Sequence, residues 1–183
     1  MRVLTLIGSL RAASFGKRLA GAIETLAPAH VRFDRTDGRD LPLYDQDLDG
    51  DEKPAAVLEL YARIEAADAL LFLTPEYNYG IPGPLKNLVD WASRPAFRSP
   101  IKDKPATIVA YSPAPTGGAR SHAQLAQVLA GTLTLVMPGV SLLVPAVHEK
   151  FDEAGSLTDE DARRRLARQI ESLEAWTRRM KSA

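Results

Sequence analysis

The chain has 183 residues, with 23 lysines and arginines balancing 23 aspartates and glutamates, and no cysteine. Balanced charge provides no overall field to gather nucleic acid or an anionic membrane surface. The absence of thiols excludes disulfides, thiolate metal sites and cysteine nucleophiles, and agrees with a reducing compartment. The length suits one domain over residues 1–183, enough to bury roughly 70% of the surface its unfolded chain exposes.

The opening MRVLTLIGSLR is broken by Gly8 and Arg11, too soon for a signal peptide or a membrane span. The expectation is a soluble cytoplasmic protein that engages neither membrane nor nucleic acid. Residues 3–7 are an apolar run halted by Gly8 and Ser9 and predict a buried strand. Phe15, Leu19, Ile23 and Leu26 then recur every three or four residues as far as Pro28, predicting a helix with one buried stripe. A second strand is expected over 31–35, supported by Val31 and Phe33, and the polar, turn-rich residues 38–54 read as a loop.

Val57, Leu58, Tyr61 and Ile64 predict a second helix, and residues 69–73 a third strand. Residues 85–91 turn helical, residues 105–112 hold a fourth strand, and Gly117-Gly118 leads into a helix through Leu125, Val128 and Leu129. A fifth strand is expected within 135–144, its start blurred by Pro138-Gly139. The last helix is the clearest: Ala162, Leu166, Ile170, Leu173, Trp176 and Met180 keep helical spacing over five turns. Thr158 is the expected N-cap, with acids in the first turn and bases in the last, each sign matching the helix dipole.

Five alternations of strand and helix, with strands apolar throughout, predict a parallel sheet covered on both faces. Ligands in such sheets sit outside the carboxyl ends of the strands, which singles out three loops. The first, residues 8–16, carries Ser9, Arg11 and Ser14 into the start of a helix, where free amides, the helix dipole and a guanidinium suit a phosphate. The competing reading is a plain turn with Ser14 as N-cap and Arg11 solvated. Walker A and G-x-G-x-x-G spacings are both absent, so a mononucleotide is favoured over a dinucleotide.

The second loop, TPEYNYGIPGP, has three prolines that fix the backbone and two glycines that permit turns. A stiff aromatic wall with free amides over 76–79 suits a flat heteroaromatic ring, against the alternative of a connector whose tyrosines pack on the core. The third, residues 112–120, opens the helix after strand four. No Ser-His-Asp set or metal cluster is evident, because His30, His122 and His148 lie far apart without ligand spacing; no acid–base catalyst is named.

GSLRAASFGKRLA, PEYNYGIPGPLKNLVDW and GGARSHAQLAQVL resemble the corresponding segments of the NAD(P)H-dependent FMN reductases of flavodoxin-like fold, the group that includes bacterial quinone and chromate reductases. The resemblance spans nearly the whole chain. It implies an α/β flavodoxin-like three-layer sandwich, with a five-stranded parallel sheet in order 2-1-3-4-5. It also implies bound FMN, with Ser9, Arg11, Ser14, Phe15 and Gly16 around the phosphate. Pro75, Glu76, Tyr77, Asn78 and Tyr79 would hold the isoalloxazine, and Ser112 would border its far side. Members similar to this chain commonly carry Asn where Gly16 stands, so one side-chain contact to the phosphate is missing.

The implied chemistry is electron transfer from NADPH or NADH through FMN to a small-molecule acceptor such as a quinone, chromate or an azo compound. Two other readings are a reductase that releases reduced FMN to a partner protein, and an electron carrier like flavodoxin. The family resemblance further implies a homodimer or homotetramer, with Leu88 and Trp91 available at the contact, the loop over 41–45 beside it, and Arg120 either joining dimers or solvated.

Overall fold

The computed structural model describes residues 1–139 and 142–182. Strands and helices alternate as β1 (Arg2–Ile7), α1 (Phe15–Leu26), β2 (Arg32–Thr36), α2 (Ala55–Ala66), β3 (Ala69–Pro75), α3 (Gly83–Ala92), β4 (Pro105–Tyr111), α4 (Ala119–Gly131), β5 (Leu135–Val136), β6 (Leu142–Val144) and α5 (Glu160–Lys181). The sheet runs β2-β1-β3-β4-β5 with every pairing parallel, and β6 also pairs with β4. The order implied by the resemblance is therefore present, with one addition.

The expected fifth strand is divided. Pro105 and Ala106 pair with Leu135 and Val136, whereas Val109 to Tyr111 pair with Leu142 to Val144. Three steps along β4 are thus matched by six along its neighbour, and Pro138 within the excess has no amide to donate. The part of that expectation at Val140 and Ser141 lies outside the described residues.

Side chains alternate along each strand and so feed two cores. Val3, Ile7, Leu71, Leu73 and Val109 face α1 and α5, where Leu19, Ile23, Leu166, Ile170 and Leu173 meet them. Leu4, Leu6, Leu70, Phe72 and Ile108 face α2, α3 and α4, meeting Leu60, Ile64, Leu85, Trp91 and Leu125. Leu88 and Trp91, expected at a subunit contact, are fully buried in this second core. The indole Nε1 of Trp91 donates to the Pro42 carbonyl at 2.8 Å, and Asn87 Nδ2 donates to the same oxygen at 2.9 Å. The apolar face of α3 therefore holds down the loop over 41–45 from within the chain.

The N-cap of α5 is Asp159, one residue later than the expected Thr158: its carboxylate accepts the Ala162 amide at 2.7 Å and pairs with Lys150 Nζ at 2.7 Å. The Lys150 hydrogen bond, aided by that amide, holds the Asp159 carboxyl below its ordinary range. Stability from such a depressed carboxylate is present above the unfolded pKa of about 3.9 and is lost as pH falls through the folded value. Asp159→Ala should accordingly cost about 1 kcal/mol at pH 7, with the gap to wild type narrowing in paired urea titrations as the pH is lowered below the ordinary carboxylate range. A gap that persists unchanged in acid would contradict this origin.

Candidate functional site

The carboxyl ends of β1, β3 and β4 bring the three expected loops together. The Gly8 amide donates to Leu73 O at 2.8 Å, joining the first loop to the strand that feeds the second. Pro75 sits beside Tyr111 in the β3–β4 register. The Glu76 carboxylate accepts the Arg120 amide at 3.0 Å and its guanidinium at 2.9 Å, joining the second loop to the third.

In the first loop Ser9 and Ser14 are buried, and Arg11 is exposed. Ser14 is the N-cap of α1, its Oγ accepting the Lys17 amide at 3.2 Å. A capping hydroxyl uses a lone pair and keeps its proton, so the cap does not prevent Ser14 from donating to an anion. Phe15 turns its ring into the α1–α5 core, 6.1 Å from the ring of Phe151, and offers the site only its amide. The amides of residues 10–13 find no acceptor among the described residues.

Charge in this loop is sorted by Asp37. Burial pushes its carboxyl up, but hydrogen bonds from Arg39 and Lys17 outweigh burial and bring it to about 2. Lys17 and Arg39 are neutralised by that carboxylate at 3.0 and 2.7 Å, and Arg39 also donates to the Leu10 carbonyl at 3.1 Å. Arg11 forms no ion pair among the described residues and is the cation left to meet an incoming anion.

The second loop is a two-residue hairpin. Tyr77 and Gly80 exchange amide–carbonyl hydrogen bonds of 3.1 and 3.0 Å, and Asn78 and Tyr79 between them have φ of 48° and 65°. Positive φ at both central residues is the mark of a type I′ turn, a conformation that non-glycine side chains resist. The Asn78 and Tyr79 amides have no acceptor among the described residues. Tyr77 and Tyr79 are 47% and 73% exposed, so the shelf is open rather than filled by the chain's own rings.

Helix α4 secures this shelf. Its N-cap, Gly118, is left-handed and has no side chain to cap with, and the Glu76 carboxylate takes over by binding the Arg120 amide, where the helix dipole favours an anion. The Arg120 guanidinium also lies 4.4 Å from the Tyr79 ring centre. One turn on, Gln124 Oε1 accepts the Ile81 amide at 2.7 Å. Ser112, at the sheet edge, is buried and its Oγ accepts the Ala114 amide at 3.1 Å, shaping the third loop.

Arg120 is thus used within the chain. Sequence reasoning leaves it between a subunit contact and solvent, and passes over Gln124 and Tyr111; the available signal was the i, i+4 spacing of two polar residues on a helix that starts at the sheet edge. The site offers amides, two serine hydroxyls and one cation at α1, then an open flat shelf with outward amides one strand away. That donor set fits a phosphorylated flavin, with the anion at the first loop and the ring at the second.

Comparisons with known proteins bear on the family and its cofactor. The pattern describing NADPH-dependent FMN reductases matches residues 1–149. An NAD(P)H-dependent FMN reductase from Pseudomonas aeruginosa is 36% identical over 181 residues, covering 99% of this chain and 97% of that protein. A 2-hydroxy-1,4-benzoquinone reductase from a Burkholderia species is 37% identical over 178 residues, covering 97% of each. Among solved structures, the flavoenzyme NAD(P)H:(acceptor) oxidoreductase of Paracoccus denitrificans superposes with a TM-score of 0.89 at 35% identity over 98% of both chains.

Proposed function

The chain belongs to the NADPH-dependent FMN reductase family, and from that premise we propose how its residues divide the work. It is an FMN-dependent oxidoreductase that uses NAD(P)H. Ser9, Arg11, Ser14 and the amides of Phe15 and Gly16 hold the phosphate. Pro75, Glu76, Tyr77, Asn78 and Tyr79 form the shelf for the isoalloxazine, with Ser112 on the far side. Bound FMN supplies the capacity to take a hydride from a nicotinamide and pass electrons to an acceptor, so the protein contributes placement and water exclusion. Asn78 and Tyr79 present their amides to the ring edge, and Glu76 fixes the shelf through Arg120 rather than acting as an acid or base.

The acceptor we propose is a quinone, by analogy with the Burkholderia relative named for that activity. The single observation that carries the reading is the exposed, left-handed turn at Asn78 and Tyr79, whose amides are unpaired among the described residues, beside a loop rich in anion donors. We further propose that residues 1–183 act as one domain and that the protein works in the cytoplasm; among the described residues no helix is long and apolar enough to cross a membrane. A homodimer or a pair of dimers would cover Leu43 and Phe97, 82% and 77% exposed on segments tied by the Asp49–Arg94 ion pair.

Purified protein should be yellow, bleach on anaerobic addition of NADPH or NADH, and recover its colour when a benzoquinone is added. A sample that takes up no FMN on titration would overturn the assignment. Bleaching without recovery would remove the quinone alone.

A further inference from the structure

Tyr111 ends β4 and is 3% exposed, and its hydroxyl is a buried polar atom with no hydrogen-bond partner among the described residues. Folded chains seldom leave such an atom unpaired. The hydroxyl comes up against the first turn of α1 at Gly16, occupying the space a side chain there would need. A Cβ on Gly16 would overlap the hydroxyl oxygen, and would stand 3.2 Å from Cζ of the same ring and 3.1 Å from Cγ2 of Ile7. Gly16 and Tyr111 are therefore one fitted pair, made by residues 95 positions apart.

What the hydroxyl lacks is an acceptor. Burial pushes its ionisation upward, with Tyr77 adding to that and the Gly16 amide and Arg11 opposing it, so it remains a neutral donor through the physiological range. The Gly16 amide lies beside it but does not reach hydrogen-bond geometry, and that amide, like the Arg11 guanidinium, is itself a donor. Ser14 has already committed a lone pair to Lys17. The polar groups gathered here are thus short of an acceptor for the phenol proton, and the group they await carries oxygens and negative charge.

We infer that the Tyr111 hydroxyl donates a hydrogen bond to the phosphate of bound FMN, making Tyr111 a cofactor-binding residue that favours phosphorylated flavin over riboflavin. This deepens the FMN reading and rests on it. Gly16 is required at the helix start because only a residue without a side chain lets the phenol reach that end of the site.

The test compares wild type with Tyr111→Phe, both stripped of flavin and titrated separately with FMN and with riboflavin, following quenching of flavin fluorescence. A hydrogen bond to a charged group predicts that Tyr111→Phe raises the Kd for FMN at least about tenfold, with the riboflavin Kd changed less than twofold. The phosphorus-31 resonance of bound FMN should also move in the variant. Because the substitution removes only an oxygen that has no partner among the described residues, the urea midpoint should not fall. Equal weakening toward both flavins would mark Tyr111 as a packing residue and overturn the inference, as would an unchanged FMN affinity with an unmoved phosphorus signal. Wild-type protein that binds neither flavin would instead fail the FMN reading itself.

Discussion

Trp91→Ala is expected to destabilise the chain by about 3–5 kcal/mol, the range for truncating a large buried aromatic. The indole is fully buried, packs edge-on against Tyr44 at 5.0 Å, and donates to the Pro42 carbonyl. With a typical total stability of about 5–15 kcal/mol, such a loss removes a large fraction of the margin. Trp91→Phe should cost much less, since Asn87 continues to satisfy the Pro42 oxygen. Urea unfolding followed by circular dichroism measures both. A Trp91→Ala variant within 1 kcal/mol of wild type would refute the picture of α3 as the anchor of the loop over 41–45.

Gly118→Ala carries the second large penalty, and its origin is backbone. Gly118 sits at φ 83°, where an L side chain costs roughly 1–2 kcal/mol. A methyl there would stand 3.0 Å from Tyr111 N, 3.1 Å from Tyr111 O and 3.1 Å from the Ala110 Cβ. Atoms of a central strand cannot swing aside like the tip of a flexible side chain, so overpacking adds about 1–3 kcal/mol. Together they predict a loss of about 2–5 kcal/mol and a weaker hold on FMN, because the end of β4 carries Tyr111. Gly131→Ala, with open space around its Cβ, is the control and should be neutral or slightly stabilising. Equal behaviour of the two alanine variants would contradict this account.

Much of the layout was legible in the sequence because it rests on local periodicity. The stripe in α5 and the apolar run of β3 fix their element types without tertiary help. The division of the fifth strand was not legible, since it depends on how many residues β4 can match. Thr158 and Asp159 are both capable caps, and only the approach of Lys150 and the Ala162 amide selects the second.

An amphipathic pattern such as that of α3 shows that one face is covered, and is silent on whether the same chain or a partner covers it. The site divides along the same line. Its loops could be found from strand ends and turn formers, whereas the Glu76–Arg120 link and the Gly16–Tyr111 fit join residues 44 and 95 positions apart.

The left-handed pair at Asn78 and Tyr79 has a bearing on capture. A segment that must be forced into an unfavourable shape only when its guest arrives subtracts that penalty from affinity. Here the chain has met the penalty while folding, with Gln124 and Arg120 as the braces that keep it met. Recognition can then proceed as docking onto a finished template, and selectivity between flat guests comes from edge geometry instead of adaptability.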